Sequence, residues 1–219
     1  PMLQPLPPGP VLDAGCSVGR TSFALAEALP GRLVLGADLN FSMLRLASRA
    51  LRAGEISYPR RRVGLVYDRR RVPVQLPGAD AGNIDFWACD AQALPFSPRT
   101  FALGSSLNLL DCVTSPWEHL AALGQALQVG GRAVIATPYD WSPGATPVEG
   151  WIGGHSQRGP EQGRSEVALR ALLSPGQHPA ATVGLRLVGE VEDLPWPVRV
   201  HDRGTMNYSV HLTVAEATG

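Results

Sequence analysis

The sequence predicts an α/β fold built on a mainly parallel sheet, and three observations predict it. Strand-like and helix-like segments alternate along the chain. A glycine turn, Gly15 to Gly19, joins the first strand to the first helix. Acidic residues stand where strands end: Asp38 after the second strand and Asp90 after the third. Open α/β sheets bind their ligands at such carboxyl ends.

Each element has its own local reason. Residues 10–14 are a short apolar run, read as a buried strand. Residues 20–29 read as a helix with Phe23, Ala24 and Leu25 on or near its apolar face, ended by Pro30-Gly31. Residues 33–37 are a second strand. Asn40 or Ser42 then caps a helix with Met43, Leu44, Leu46, Ala47, Ala50 and Leu51 in its apolar pattern. Residues 54–82 break the rhythm. Two arginine triplets, Arg60 to Arg62 and Arg69 to Arg71, flank Val63 to Tyr67, which reads as an inserted hairpin. Strands follow at 84–88, 102–107 and 132–137, with a helix at 117–127 ended by Gly130-Gly131. Residues 138–163 are rich in Pro, Gly and Trp and read as an ordered lid or substrate loop. A helix over 165–173 and strands over 185–192 and 208–215 complete the sheet.

Composition narrows the function. The 219 residues, 44% hydrophobic, suit one domain over 1–219 with a core of its own. Nineteen basic residues balance nineteen acidic ones, so a nucleic-acid binder is disfavoured. All the basic residues are arginine, which excludes lysine chemistry. No apolar run reaches the roughly 18–20 residues of a membrane span, and no signal peptide is visible. Cys16, Cys89 and Cys112 form no CxxC pair, which points to reduced thiols in a cytoplasmic protein. His155, His201 and His211 are scattered without metal-ligand spacing, so no metal site is expected.

The strongest motif is Val11-Leu12-Asp13-Ala14-Gly15-Cys16-Ser17-Val18-Gly19-Arg20. Glycine lets a backbone approach a ligand closely. The spacing is neither GxGxxG nor the P-loop pattern. Asp38 stands 25 residues after Asp13, where an acid accepts hydrogen bonds from ribose hydroxyls. The plain structural alternative is a strand-to-helix turn with Asp38 and Asp90 as helix caps.

With these residues in this order, the chain resembles the class I S-adenosylmethionine-dependent methyltransferases. The resemblance implies a Rossmann-like, seven-stranded, mainly parallel sheet with helices on both faces. It implies S-adenosylmethionine as cofactor and S-adenosylhomocysteine as product. It assigns Asp13, Gly15, Cys16 and Gly19 to the methionine part of the cofactor and Asp38 to the ribose. Leu39, Asp90 and Ala91 fall to the adenine end. Asn108 opens the acceptor side and borders the cofactor. Ser17 departs from a common middle glycine, and Phe101-Ala102 departs from a common Phe-Asp.

A second set is Thr137-Pro138-Tyr139-Asp140-Trp141, Thr146-Pro147, Trp151 to Gly154, Asn108 to Asp111 and Val214 to Thr218. With the glycine loop, it is similar to the C-terminal methyltransferase domain of ovothiol synthase. That resemblance implies N-methylation of the imidazole of thiohistidine, a small amino-acid substrate. No sulfoxide-synthase segment is attached, and the arginine triplets and residues 199–207 fit it poorly.

An imidazole nitrogen attacks only when neutral and must be held about 3–3.5 Å from the methyl carbon. Tyr139 and Trp141 then wall a planar ring, and Trp151 closes the lid. Asn108 and Asp111 hydrogen-bond the other nitrogen or the amino group. Tyr139 or Asp140 accepts a proton. Simpler readings stand beside these. Tyr139 and Trp141 are core or lid packing, Asn108 caps a turn, Cys16 is a small buried thiol, and the triplets form a solvated insertion, with a patch for an anionic partner as the other reading. Another small acceptor, or an idle cofactor-binding module, is the alternative function.

Overall fold

The computed structural model describes residues 3, 5–74, 82–179, 181 and 184–219. Part of the expected 54–82 insertion, residues 75–81, lies outside the described residues. So do residues 1, 2, 4, 180, 182 and 183 of the expected single domain.

The strands are β1 (Val11–Ala14), β2 (Val34–Asp38), β3 (Glu55–Val63), β4 (Val66–Pro73), β5 (Ile84–Ala88), β6 (Phe101–Leu107), β7 (Leu127–Thr137), β8 (Leu185–His201) and β9 (Gly204–Ala217). The helices are α1 (Arg20–Ala28), α2 (Phe41–Ala53), α3 (Pro116–Ala126) and α4 (Ser165–Leu172). Seven strands form one sheet in the order β5-β2-β1-β6-β7-β9-β8. Pairings from β5 through β7 are parallel, and β9 runs antiparallel between β7 and β8.

Alternation along the strands feeds two cores. Val11 and Val34, in register, join Ile84 and Leu103 on the face that Phe23, Leu25 and Leu51 of α1 and α2 cover. Their neighbours Leu12 and Leu35, also in register, join Ile135 on the face covered by Leu120 and Leu123 of α3 and Leu169 and Leu172 of α4. Period two on a parallel sheet therefore puts helices on both faces.

Local chemistry starts and stops the helices. The Asn40 side chain accepts from the N–H groups of Ser42 and Met43, so Asn40 is the cap and Ser42 is not. Gly54, at φ 63°, ends α2 in the left-handed region. The Ser115 hydroxyl caps α3 by accepting from the Glu118 N–H at 3.3 Å.

Three boundaries differ from the sequence reading. Ala24 is exposed; α1 buries Ser22 and Ala26 instead. Gly130-Gly131 does not end α3, because β7 already begins at Leu127. Gly130 takes φ 79° within the strand, and a Cβ on Gly131 would stand 2.8 Å from the Gln128 carbonyl oxygen and 3.0 Å from that of Ala102. These glycines therefore serve a strand irregularity, seen as a register shift between Phe101 and Leu103. Finally, β8 and β9 run well past residues 192 and 208, and pair as far as His201 and Gly204.

The inserted hairpin is real: β3 and β4 form a separate two-stranded antiparallel sheet. Its tip touches that of β8–β9, where Arg60 pairs with Asp202.

Candidate active site

The glycine loop between β1 and α1 is shaped by its own backbone. The Gly15 and Cys16 N–H groups both donate to the Ala37 carbonyl, at 2.8 and 3.0 Å, which ties the loop to the end of β2. Gly15 takes φ 74°, and a Cβ there would meet the Leu109 side chain at 2.8 Å. Gly19 takes φ 82° as the residue before α1, and a Cβ there would meet the Phe86 ring at 2.7 Å. No side chain caps the first turn of α1.

Asp13 braces this loop from below. It is 2% exposed, and both carboxylate oxygens are taken: one by the Ser22 hydroxyl of α1 at 2.6 Å, the other by the Ser105 hydroxyl of β6 at 2.7 Å. Burial pushes its carboxyl above the ordinary carboxylate range, and the two hydroxyls partly counter that. Cys16 is buried, and burial pushes its thiol up, so it packs as a protonated thiol with no nucleophilic character.

Ser17 sits at φ 51°, in the left-handed region a common glycine would occupy. That conformation costs a non-glycine residue about 1–2 kcal/mol. Its N–H donates to Asp38 and survives any side-chain change. Ser17→Gly is therefore expected to stabilise the protein by about 0.5–1 kcal/mol, after the looser unfolded chain is counted. In scanning calorimetry this is a rise in Tm of about 1–4 °C; a fall would contradict it.

Asp38 ends β2 with its carboxylate held by two backbone groups. Oδ2 accepts from the Ser17 N–H at 2.8 Å and Oδ1 from the Asn40 N–H at 2.7 Å. Each carboxylate oxygen keeps a lone pair for a hydroxyl pair. Beside it, Leu39 and Phe41 are 74% and 66% exposed. Such apolar surface at a strand end suits one face of a flat base.

Asp90 accepts from both the Gln92 N–H and the Gln92 amide, at 2.9 and 3.2 Å. The Gln92 Oε1 in turn accepts from the Thr114 hydroxyl and the Ser115 N–H. His119, absent from the sequence reading, locks this turn from α3. Its Nδ1 lies 3.1 Å from the Ala91 carbonyl and its Nε2 2.8 Å from the Ser106 hydroxyl. A carbonyl only accepts, so Nδ1 carries the proton and Nε2 accepts from Ser106. A histidine inside an otherwise apolar helix face, His119 beside Leu120 and Leu123, was the available sequence signal.

His119 is wholly buried, and burial lowers its pKa. The sign follows. As pH falls through the unfolded value near 6.5, the unfolded chain takes up a proton that the folded chain refuses. The histidine-linked stability is then lost. Asp13 and Asp111, raised by burial, act in the opposite sense on acidification. A difference measurement isolates the histidine: His119→Gln is expected to be less stable than the parent at pH 7.5, with the gap narrowing towards pH 5. A gap independent of pH, measured by denaturant melts, would contradict this.

The residues expected on the acceptor side stand at the ends of β6 and β7. Asn108 takes φ 53° with its N–H on the Ala136 carbonyl, and its side-chain Oδ1 is buried without a hydrogen-bond partner. Asp111 is buried in the turn after it and accepts from the Asp140 N–H at 2.7 Å. The Asp140 carboxylate accepts from Tyr208 at 3.2 Å, so the long β9 brings a residue that sequence reasoning missed.

Tyr139 differs from the expectation. Its hydroxyl lies 2.7 Å from His211 Nδ1, and His211 Nε2 lies 2.9 Å from Glu190, which Arg170 also grips. The carboxylate takes the Nε2 proton, so the phenol donates to Nδ1. That proton is committed inward, and burial raises the phenol's pKa further. Tyr139 is thus a buried brace under Asp140, and the proton-accepting role does not suit it. Trp141 and Trp151 stack on each other, with ring centroids 6.1 Å apart. Their N–H groups bond Ser165 and the Thr146 carbonyl. Thr146 and Ile152 are buried, so the 138–163 segment is pinned into the core as an ordered wall.

Residues 12–135, more than half of the sequence, match the family described as methyltransferase domain. The chain belongs to that family. This methyltransferase depends on S-adenosylmethionine, and its residues fit that cofactor: two left-handed glycines in the loop after β1, and the Asp38 carboxylate at the end of β2 with lone pairs to spare. Among solved structures, it is similar to an S-adenosylmethionine-dependent methyltransferase from Methanosarcina mazei, with a TM-score of 0.61 at 18% identity. That match covers 100% of this chain and 97% of the other. A TehB-like S-adenosylmethionine-dependent methyltransferase from Corynebacterium glutamicum gives 0.54 at 19% identity, covering 97% and 83%. A protein described as the [4+2]-cyclase SpnF gives 0.58 at 13% identity, covering 96% and 76%. At these identities the likeness speaks for the fold alone. No curated protein matches the chain. No helix among the described residues is long and apolar enough to cross a membrane.

Proposed function

We propose that this methyltransferase methylates a ring nitrogen of a small imidazole amino acid, with thiohistidine as acceptor. One observation supports an acceptor that carries a hydrogen-bond donor, as an imidazole does: the Asn108 Oδ1 has no hydrogen-bond partner. A neutral imidazole carries one N–H donor and one bare nitrogen on the same ring. Donation of the N–H to Asn108 satisfies the orphan and leaves the other nitrogen as nucleophile. The bound cofactor supplies an electrophilic methyl group on sulfonium sulfur. Thiohistidine presents sulfur as well as nitrogen, so the attacking atom has to be selected by position. Asp140, with lone pairs beyond its Tyr208 bond, suits the acceptor's ammonium group or the proton released from the ring. Asp111 holds the Asp140 backbone in place. The motif set around Tyr139, Trp151 and Asn108 supports the thiolated ring in particular. The free thiols at Cys16, Cys89 and Cys112 accord with a reducing, cytoplasmic setting.

The test is mass spectrometry of products after incubation with S-adenosylmethionine and, in parallel, thiohistidine, histidine and histidine-cysteine sulfoxide. One added methyl on thiohistidine, with matching S-adenosylhomocysteine, is expected. Asn108→Ala should then lower kcat about tenfold to a hundredfold, through loss of one orienting hydrogen bond. Cofactor binding without methylation of any of the three would overturn the acceptor.

A further inference from the structure

The tips of the two hairpins enclose a second site. Arg60 pairs with Asp202, and the Asp202 N–H donates to the Arg61 carbonyl at 3.3 Å, so β3–β4 and β8–β9 are joined by side chain and backbone alike. Between them lies an open cavity of about 640 Å³, lined by Tyr58, Arg60, Arg61, Tyr67, Arg199 and His201 among others.

The charges around this cavity do not balance. Asp202 answers Arg60, and Asp68 lies 3.8 Å from Arg62. Arg61 and Arg199 have no carboxylate partner among the described residues. Two uncompensated guanidinium groups on one cavity repel each other. An oxyanion between them offsets that repulsion. A guanidinium presents paired donors matched to phosphate or carboxylate oxygens, and the ring faces of Tyr58 and Tyr67 add apolar walls.

We propose that this cavity binds a small oxyanion, phosphate or carboxylate, held by Arg61 from one hairpin and Arg199 from the other. The site uses none of the residues that face the cofactor or the methyl acceptor, so it stands or falls independently of the acceptor assignment.

Inorganic phosphate and succinate serve as probes, each titrated calorimetrically at constant ionic strength set with chloride. Saturable binding of either is expected: phosphate alone marks a phosphate site, succinate alone a carboxylate site. Arg61→Gln and Arg199→Gln should each weaken that binding about tenfold or more, while Arg158→Gln, on the lid, leaves it unchanged. Affinity for S-adenosylhomocysteine, measured on the same samples, checks that the variants are folded. No saturable binding of either probe to the parent, or equal binding by the folded Arg61 and Arg199 variants, overturns the proposal.

Discussion

Asp38→Ala is expected to weaken S-adenosylhomocysteine binding by about a hundredfold, the largest single effect on cofactor affinity. The carboxylate stands at the end of β2 with both oxygens already aligned by the Ser17 and Asn40 N–H groups. That alignment is set before a ligand arrives, so little ordering is lost on binding. A hydrogen bond to a charged group contributes about 1.5–3 kcal/mol. Losing two hydroxyl contacts therefore costs about 3–6 kcal/mol at most, and water in the truncated site recovers part of it. Alanine also strips acceptors from two loop N–H groups, so the loop itself loosens. Isothermal titration of S-adenosylhomocysteine measures the loss. Affinity within a factor of about three of the parent would show that Asp38 does not face the nucleoside.

The second large effect concerns stability. Gly19→Ala is expected to destabilise the protein by about 2–5 kcal/mol. The left-handed conformation at φ 82° contributes about 1–2 kcal/mol of that cost. Overpacking against Phe86, whose ring lies 2.7 Å from the added Cβ, contributes about 1–3 kcal/mol more. The same ring edge lies over Gly36 of β2, where a Cβ would stand 2.6 Å away, and Phe23 sits edge-on at 5.7 Å, so the ring is already closely packed on the side the new Cβ meets. For a chain of this size the Tm should fall by about 4–20 °C. The double variant Gly19→Ala, Phe86→Leu should recover part of the loss. An unshifted Tm in the single variant would mean that the loop relaxes freely.

Much of this was legible from residues alone, for physical reasons. The strand, glycine turn and helix around Gly15 carry unmistakable local chemistry, and the strand ends at Asp38 and Asp90 follow from parallel topology. The cap of α2 was legible to within two residues, Asn40 or Ser42, and the structure selects Asn40. What escaped notice depended on tertiary partners. Tyr139 reads as a polar aromatic near a site; only the fold shows His211, 72 residues away, taking its hydroxyl. Trp141 reads as a ring wall and Trp151 as lid packing; only the fold shows the two rings stacked on each other. Gly130-Gly131 imitates a helix stop because left-handed glycine serves strand irregularities equally well. The outer halves of β8 and β9 are mostly exposed, and Pro195 and Pro197 interrupt the strand signal there, so both strands read too short.

The bond between Ser105 and Asp13 spans 92 residues, and β1 lies in the middle of the sheet with β6 on one side. The first and sixth strands lie far apart in sequence but side by side in space, so β1 has to wait for its neighbour. During synthesis the segment around Asp13 emerges before β6 and stays half-paired until residue 105 has followed it out. Contacts so far apart in sequence slow folding, because a long loop is closed before any reward is gained. The glycine loop is thus made well before the strand that makes it rigid. A hydrogen-exchange pulse during refolding should find the amides of β1 protected only together with those of β6.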